Sequence, residues 1–379
     1  MKAGSLLRAT LHQEAEDHRE ELAEAWAAPP LGTTELAWHE GASLWLYRRL
    51  AALGLRDGVA GPIREALRLQ VLGVAGINLR IDEEARQVLQ LLGRSGIPVV
   101  ALKGIARRAL ASRWPLLDAR PVSDVDLLLS PDEVVPAWEF LRGHGYTLAL
   151  PGSEQRYADH HHLPGLIGPG GGAIELHRST SLTLGPSEAW ARLRGDAEAV
   201  QWQGIEILVP SPTELVWHSI SHAATDGVLG FRIRHWLDLV GLLTAGAPVD
   251  WDAIGQRIIA EPVPDALTLK PVHPNVLRQW LGGTGELLAQ ATTAAWCHLA
   301  TPVDLERLLN GRARLLTVRW GQGRVMERLL AEWTRGVLGW SLEPTPSAGW
   351  RRVRGRTVSL VARGTGRVLN FGSSIPSGR

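Results

Sequence analysis

Acidic and apolar side chains alternate in residues 122–129, and this alternation constrains the fold of the chain most strongly. A β-strand directs successive side chains to opposite faces, so Asp124 and Asp126 share one face while Val125 and Leu127 share the other. The pattern predicts a half-buried strand that carries two carboxylates side by side. Such like charges repel each other and lose hydration unless a cation lies between them or one binds a proton.

A divalent metal ion would resolve this conflict between Asp124 and Asp126. Carboxylate oxygens favour Mg²⁺ or Mn²⁺ over zinc, and a chain with Cys297 as its single cysteine has no cysteine-built metal site. An exposed strand end is the alternative explanation, because an Asp-x-Asp spacing is common. The spacing alone leaves both interpretations open.

A third acid, Glu175, lies in a second predicted strand, residues 173–177. A glycine-rich turn at 168–172 separates this strand from a run at 160–163, and the two runs predict a β-hairpin. Glu175 and His177 share one face of their strand by the same alternation. If this strand pairs beside the strand of the two aspartates, three carboxylates converge. Such a set can hold two metal ions about 3.5–4 Å apart for phosphoryl or nucleotidyl transfer.

Several short motifs follow one another in a fixed order along the chain. They are Leu102-Lys103-Gly104, Arg120, Ser123-Asp124-Val125-Asp126-Leu127-Leu128, His161-His162 and Ile174-Glu175-Leu176-His177. In this order they resemble the bacterial nucleotidyltransferase-like proteins of the DNA polymerase beta superfamily. The resemblance covers residues 97–177 and extends more loosely over 218–243. It implies an α/β core with a mixed sheet, flanked by an N-terminal helical region and a C-terminal helical domain.

The resemblance also implies a role for each site residue. Gly104 would belong to the turn that cradles a triphosphate. Asp124 would lie nearer the triphosphate, Asp126 would bridge two metal ions, and Glu175 would lie near the attacking oxygen, where it could act as general base. The implied reaction moves a nucleoside monophosphate from a nucleoside triphosphate, expected to be ATP, to an acceptor hydroxyl, with release of pyrophosphate. The Gly-Ser or Gly-Gly pair that is usual in the superfamily is replaced here by Lys103-Gly104.

Three further residues near the carboxylates are expected to bind the nucleotide together with Gly104: Lys103, Arg120 and Ser123. An ammonium group at the start of a helix would add charge to backbone N–H groups that already suit phosphate. The alternative for Lys103 is a side chain that reaches solvent or pairs with Asp124. Arg120 either binds phosphate or an acidic partner, or braces the aspartate strand.

Two groups of histidines are candidate metal ligands. In a regular strand His160 and His162 would align while His161 points the other way, so the run predicts a polar lining rather than a three-ligand site. His161 would then be free to donate a proton to a leaving group. His218 and His222 lie four residues apart on one helical face, which predicts either a polar stripe facing the cleft or a metal face.

Two other functions fit the same residues. A kinase-type phosphoryl transferase would use the same carboxylates, because the metal ligands do not select which phosphorus is attacked. A non-catalytic nucleotide-binding scaffold would keep the fold, and the altered Lys103-Gly104 turn is compatible with it.

Composition and the positions of proline and glycine predict four regions. A helical N-terminal region spans 1–92, and the α/β core spans 93–209. A helical domain that forms the wall of the cleft spans 210–344, and a tail rich in arginine and glycine spans 345–379. The tail is predicted to be a disordered basic extension rather than a nucleic-acid-binding segment.

Charge and hydropathy limit the partners. Forty basic and 39 acidic side chains leave a formal charge of +1, which gives no overall field that favours nucleic acid or an anionic membrane. The chain also shows no export signal and no apolar run of about 18 residues. We therefore expect a cytoplasmic protein whose acceptor is a small molecule, a peptide or a protein, with nucleic acid less favoured.

Overall fold

The computed structural model describes residues 1–260, apart from 13, 153, 158–159, 181–183, 231 and 244–245. The larger part of the predicted C-terminal helical domain and the whole predicted tail at 345–379 lie outside the described residues. The region boundaries at 92/93 and 209/210 stay predictions.

Five α-helices precede the sheet in the described part of the chain. They are α1 (Ala3–Leu11), α2 (Arg19–Ala27), α3 (Thr33–His39), α4 (Ser43–Ala52) and α5 (Gly61–Arg94). Pro62 lies in the first turn of α5, where its missing N–H costs no helical hydrogen bond. One side of α5 is buried at three- and four-residue intervals, as in an amphipathic helix that covers a core.

The sheet has seven strands among the described residues. They are β1 (Val100–Ala101), β2 (Asp124–Leu128), β3 (Thr147–Leu148), β4 (Leu166–Ile167), β5 (Ala173–His177), β6 (Glu198–Trp202) and β7 (Ile205–Val209). Their order is β3-β4-β5-β2-β1-β7-β6. The β2–β5 and β1–β7 pairs are parallel and the other pairs are antiparallel. The predicted α/β fold with a mixed sheet is confirmed.

Six further helices lie between and after the strands in the described part of the chain. They are α6 (Lys103–Leu110), α7 (Val134–Gly143), α8 (Pro186–Gly195), α9 (Pro212–Gly230), α10 (Arg234–Leu243) and α11 (Trp251–Ala260). Helix α6 follows β1 directly, and its first turn lies next to β2. None of the described helices is both long enough and apolar enough to span a membrane.

A hairpin closes around the glycine turn as predicted, but its first strand is β4 (Leu166–Ile167) and not the run 160–163, whose His162 forms an isolated bridge with His177. The Gly168 N–H donates to the Gly172 carbonyl at 2.9 Å and closes this turn. Glu84 of α5, which is buried, accepts a hydrogen bond from the Gly172 N–H at 3.2 Å. A Cβ atom at Gly168 or Gly172 would collide with the Glu84 side chain. The glycines therefore let the turn close around a carboxylate of the helical layer.

Asn78 of α5 fixes the segment that leads into β2. Its Nδ2 donates to the Arg120 carbonyl at 3.1 Å, and its Oδ1 accepts the Val122 N–H at 2.9 Å. Asn78 is 3% exposed, so water cannot easily replace these bonds. The start of the aspartate strand is thus attached to the long helix by two hydrogen bonds.

We expect Asn78→Ala to lower the free energy of unfolding by about 2 kcal/mol, because it leaves the buried Val122 N–H without a partner. Arg80→Ala, an exposed change on the same helix, should alter stability by no more than about 0.5 kcal/mol. Urea unfolding followed by circular dichroism measures both. Equal midpoints for the two variants would contradict this role of Asn78.

Candidate active site

The parallel pairing of β2 with β5 places acidic residues side by side. Asp126 pairs in register with Glu175, and Leu128 pairs with His177. Val125 and Ile174, which point to the opposite face, are fully buried. Because each strand must bury its apolar face in the same layer, their polar faces come to lie together.

Asp126 is the most enclosed acid of the site, with 0% of its surface exposed. Its Oδ1 accepts hydrogen bonds from Lys103 Nζ at 2.6 Å and from His177 Nε2 at 2.8 Å. Its Oδ2 is buried and has no hydrogen-bond partner among the described residues. Burial alone would raise the pKa of Asp126. The ammonium of Lys103 and the hydrogen bond from His177 outweigh burial and hold this pKa well below its usual range.

Asp124 and Glu175 titrate in the opposite direction. Burial, followed by the charge of Asp126, raises the pKa of each. The Ser123 hydroxyl donates to Asp124 Oδ1 at 3.0 Å. Glu175 Oε2 lies 3.7 Å from the Nε2 atoms of both His162 and His177. Two of the three acids thus carry their charge at a cost to the folded state.

Lys103 stands at the start of α6 with φ of +43°. A non-glycine residue rarely adopts this backbone conformation, and such strain recurs at functional sites. The sequence allowed a pair with Asp124, but the ammonium binds Asp126 in the structure. Burial lowers the pKa of Lys103, yet the neighbouring acids, Asp126 foremost, outweigh this effect and raise it. Lys103 therefore stays charged beside the carboxylates.

Gly104 allows α6 to approach the aspartate strand. A Cβ atom at this position would lie 2.5 Å from Cγ1 of Val122, which directly precedes the Ser123-Asp124 pair. Side chains do not tolerate so short a separation. The structure thus gives Gly104 a packing role next to the site, in addition to the phosphate contact that the family resemblance implies for it.

Arg120 contacts an acid of a later helix. Its Nε donates to Asp238 Oδ1 at 2.7 Å, and Arg107 Nε lies 3.2 Å from Asp238 Oδ2. Arg107 also donates to the Ser219 hydroxyl at 2.8 Å, and burial lowers its pKa to about 10. These contacts join α6 and the segment before β2 to helices α9 and α10. No local sequence pattern indicates Arg107, because its partners lie more than a hundred positions away.

The predicted strand alternation of His160, His161 and His162 is wrong, whereas their lining role stays a prediction. Each offers a ring nitrogen, and the three nitrogens lie within 4.8 Å of one another. The segment bends after a 3-10 helix at Glu154–Tyr157 instead of running as a strand, so its side chains do not alternate. The His161 ring also lies 5.4 Å from that of His177. Burial and the neighbouring histidines lower the pKa of His162 to about 2, so this imidazole is neutral.

His218 of α9 belongs to the electrostatic surroundings of the site. Burial lowers its pKa well below the ordinary value, and His222, Lys103 and Arg107 add to this effect while Asp126 opposes it. Its ring stacks on that of His222 with centroids 5.9 Å apart. Its Nε2 is buried without a hydrogen-bond partner in the described part of the chain. The neutral ring therefore presents an unused polar atom.

A metal ion fits the carboxylate cluster. Asp126, Glu175 and His177 each offer a ligand atom, and these atoms lie within 4.8 Å of one another. Asp124 lies outside that group but on the same face of β2. The buried Oδ2 of Asp126, which has no partner among the described residues, is an oxygen that a cation would satisfy. Hard oxygen ligands match Mg²⁺ or Mn²⁺.

Comparison with known protein families gave one match. The model of a family described as an uncharacterised nucleotidyltransferase covers residues 32–268, which is more than half of the chain. Comparison with curated proteins and with solved structures found no match. The matched range includes every carboxylate discussed above.

The opposite pKa shifts predict opposite effects of two neighbouring substitutions in the metal-free protein. Above its raised pKa, Asp124 costs the folded state free energy, so Asp124→Asn should stabilise the protein by roughly 1 kcal/mol near neutral pH. Asp126→Asn should destabilise it by about 3 kcal/mol, because Lys103 loses its buried partner. Chemical denaturation in the presence of a chelator measures both. Destabilisation by Asp124→Asn as large as that by Asp126→Asn would contradict the described electrostatics.

Proposed function

The chain belongs to the uncharacterised nucleotidyltransferase family, and from this membership and the site geometry we propose a metal-dependent transfer of a nucleoside monophosphate. The donor is a nucleoside triphosphate, most simply ATP, and the acceptor is a hydroxyl of a small molecule, a peptide or a protein. Pyrophosphate leaves. The observation that carries the proposal is the register pair of Asp126 with Glu175, with the Asp126 Oδ2 buried and without a partner among the described residues.

Asp126, Glu175 and Asp124 would hold Mg²⁺ or Mn²⁺. When bound, the ion neutralises charge on the triphosphate and lowers the pKa of the acceptor hydroxyl. Lys103 adds a fixed positive charge on the same side of the sheet, since its ammonium is held by Asp126. The site thereby collects positive charge where the phosphates of the donor would lie.

Glu175 is the proposed general base. Burial raises the pKa of its carboxyl group toward neutral pH. A general base works most efficiently when its pKa lies near the pH at which the enzyme operates. One of its oxygens would accept the proton of the attacking hydroxyl. The Nε2 atoms of His162 and His177 lie beside this carboxylate, 3.7 Å from Glu175 Oε2.

The reaction can be tested before the acceptor is known, because water can slowly attack the donor in place of the acceptor hydroxyl. Nucleotidyl transfer to water converts ATP into AMP and pyrophosphate, whereas kinase-type transfer gives ADP and phosphate. We expect the purified protein, incubated with Mn²⁺ and ATP carrying label in the α-phosphate, to form labelled AMP. Labelled ADP without AMP would favour phosphoryl transfer.

Asp126→Asn and Glu175→Gln should each reduce AMP formation by more than about 100-fold, because even residues behind metal ligands contribute 10–100-fold. Asp132→Asn removes an exposed acid that closely follows the same strand and should keep full activity. Absence of both products, together with ATP binding that ignores Mn²⁺ and Asp126→Asn in calorimetry, would contradict the enzyme and support a binding scaffold.

A further inference from the structure

The two oxygens of Asp126 have different surroundings. Oδ1 accepts hydrogen bonds from the Lys103 ammonium and from the His177 imidazole, at 2.6 and 2.8 Å. Oδ2 is equally enclosed and has no partner among the described residues. One oxygen is therefore occupied by two donors, and the other remains available.

In the bidentate bridging mode, a carboxylate gives one oxygen to each of two metal ions. Oδ1 of Asp126 has two lone pairs and already accepts from Lys103 and His177, so a metal ion on Oδ1 would displace at least one of these donors. His177 is 1% exposed, so its N–H, if displaced, would lose a hydrogen bond at a place where water does not replace it. The sequence resemblance assigned this bridging role to Asp126, but the surroundings of Oδ1 disfavour it.

We propose that the Lys103 ammonium takes the place of one of the two metal ions, so that the carboxylates bind a single divalent ion through Asp126 Oδ2. This inference rests on the proposed function. Asp124, Asp126 and Glu175 together carry three negative charges. Before the nucleotide binds, one ammonium and one divalent ion match that charge, whereas two divalent ions beside the ammonium would exceed it.

The backbone holds Lys103 in this position. Its φ of +43° is a conformation that a lysine adopts only where the surrounding structure enforces it. The next residue, Gly104, packs so closely on Val122 that even a Cβ would not fit. The start of α6 is thus fixed against the segment that precedes β2. The ammonium is directed to Asp126, the strand residue with which it pairs.

A crystal grown with Mn²⁺ and the non-reactive analogue α,β-methylene-ATP tests the inference. Manganese is located by its anomalous scattering, so activity is not the readout. We expect one manganese peak at bonding distance from Asp126, on Oδ2, with Lys103 Nζ still hydrogen-bonded to Oδ1. Two peaks on Asp126, or a Lys103 side chain that has left it, would overturn the inference and leave the proposed function standing. No peak on Asp126 would overturn both.

Variants of Lys103 supply the matched comparison. Lys103→Met removes the charge at nearly constant length and should admit a second manganese ion on Oδ1, while Lys103→Arg should retain one. Lys2→Met removes an exposed lysine and should bind like the wild type. Calorimetric titration with Mn²⁺ gives the number of ions bound per protein molecule in solution. Subtracting the number bound by Asp126→Asn leaves the ions that depend on Asp126. A count of one ion in Lys103→Met would overturn the inference. If that variant does not fold, the wild-type count decides, because two ions in the wild type would overturn the inference.

Discussion

The site depends on how the charge of Asp126 is balanced. A carboxylate with no exposed surface is unfavourable unless groups around it supply hydrogen bonds and opposite charge. Lys103 and His177 do so at one oxygen only. They keep Asp126 ionised, and burial together with the charge of this residue raises the pKa of Glu175 and of Asp124. The charge of Asp126 thus affects the protonation of both neighbouring acids.

Contacts elsewhere in the fold hold the strands of this acidic cluster in place. Asn78 fixes the segment before β2 by two hydrogen bonds, and the glycine turn before β5 closes on Glu84. Both contacts start from α5, so the long helix positions the two strands that carry the acids. Buried carboxylates that destabilise the folded state are common where a protein keeps a site ready for a cation. Stability and function thus act against each other at Asp124 and Glu175.

Much of this arrangement could be predicted from the sequence, because strand periodicity assigns side chains to faces. The shared face of Asp124 and Asp126, the hairpin and the neighbouring position of Glu175 need only a local pattern and one assumption about pairing. Other features needed the three-dimensional structure. The bend that gathers the three histidines breaks the alternation, and the contact of Arg120 with Asp238 joins residues that are 118 positions apart. Nothing in local sequence reports such contacts.

A divalent ion bound by Asp126, as proposed above, would lie next to His177. Nuclear magnetic resonance of protein labelled at histidine tests it most directly, because paramagnetic Mn²⁺ broadens the signals of nearby nuclei. We expect the ring signals of His177 to broaden at substoichiometric Mn²⁺ in the wild type and to stay sharp in Asp126→Asn. Sharp His177 signals in the wild type, or equal broadening in both proteins, would contradict it.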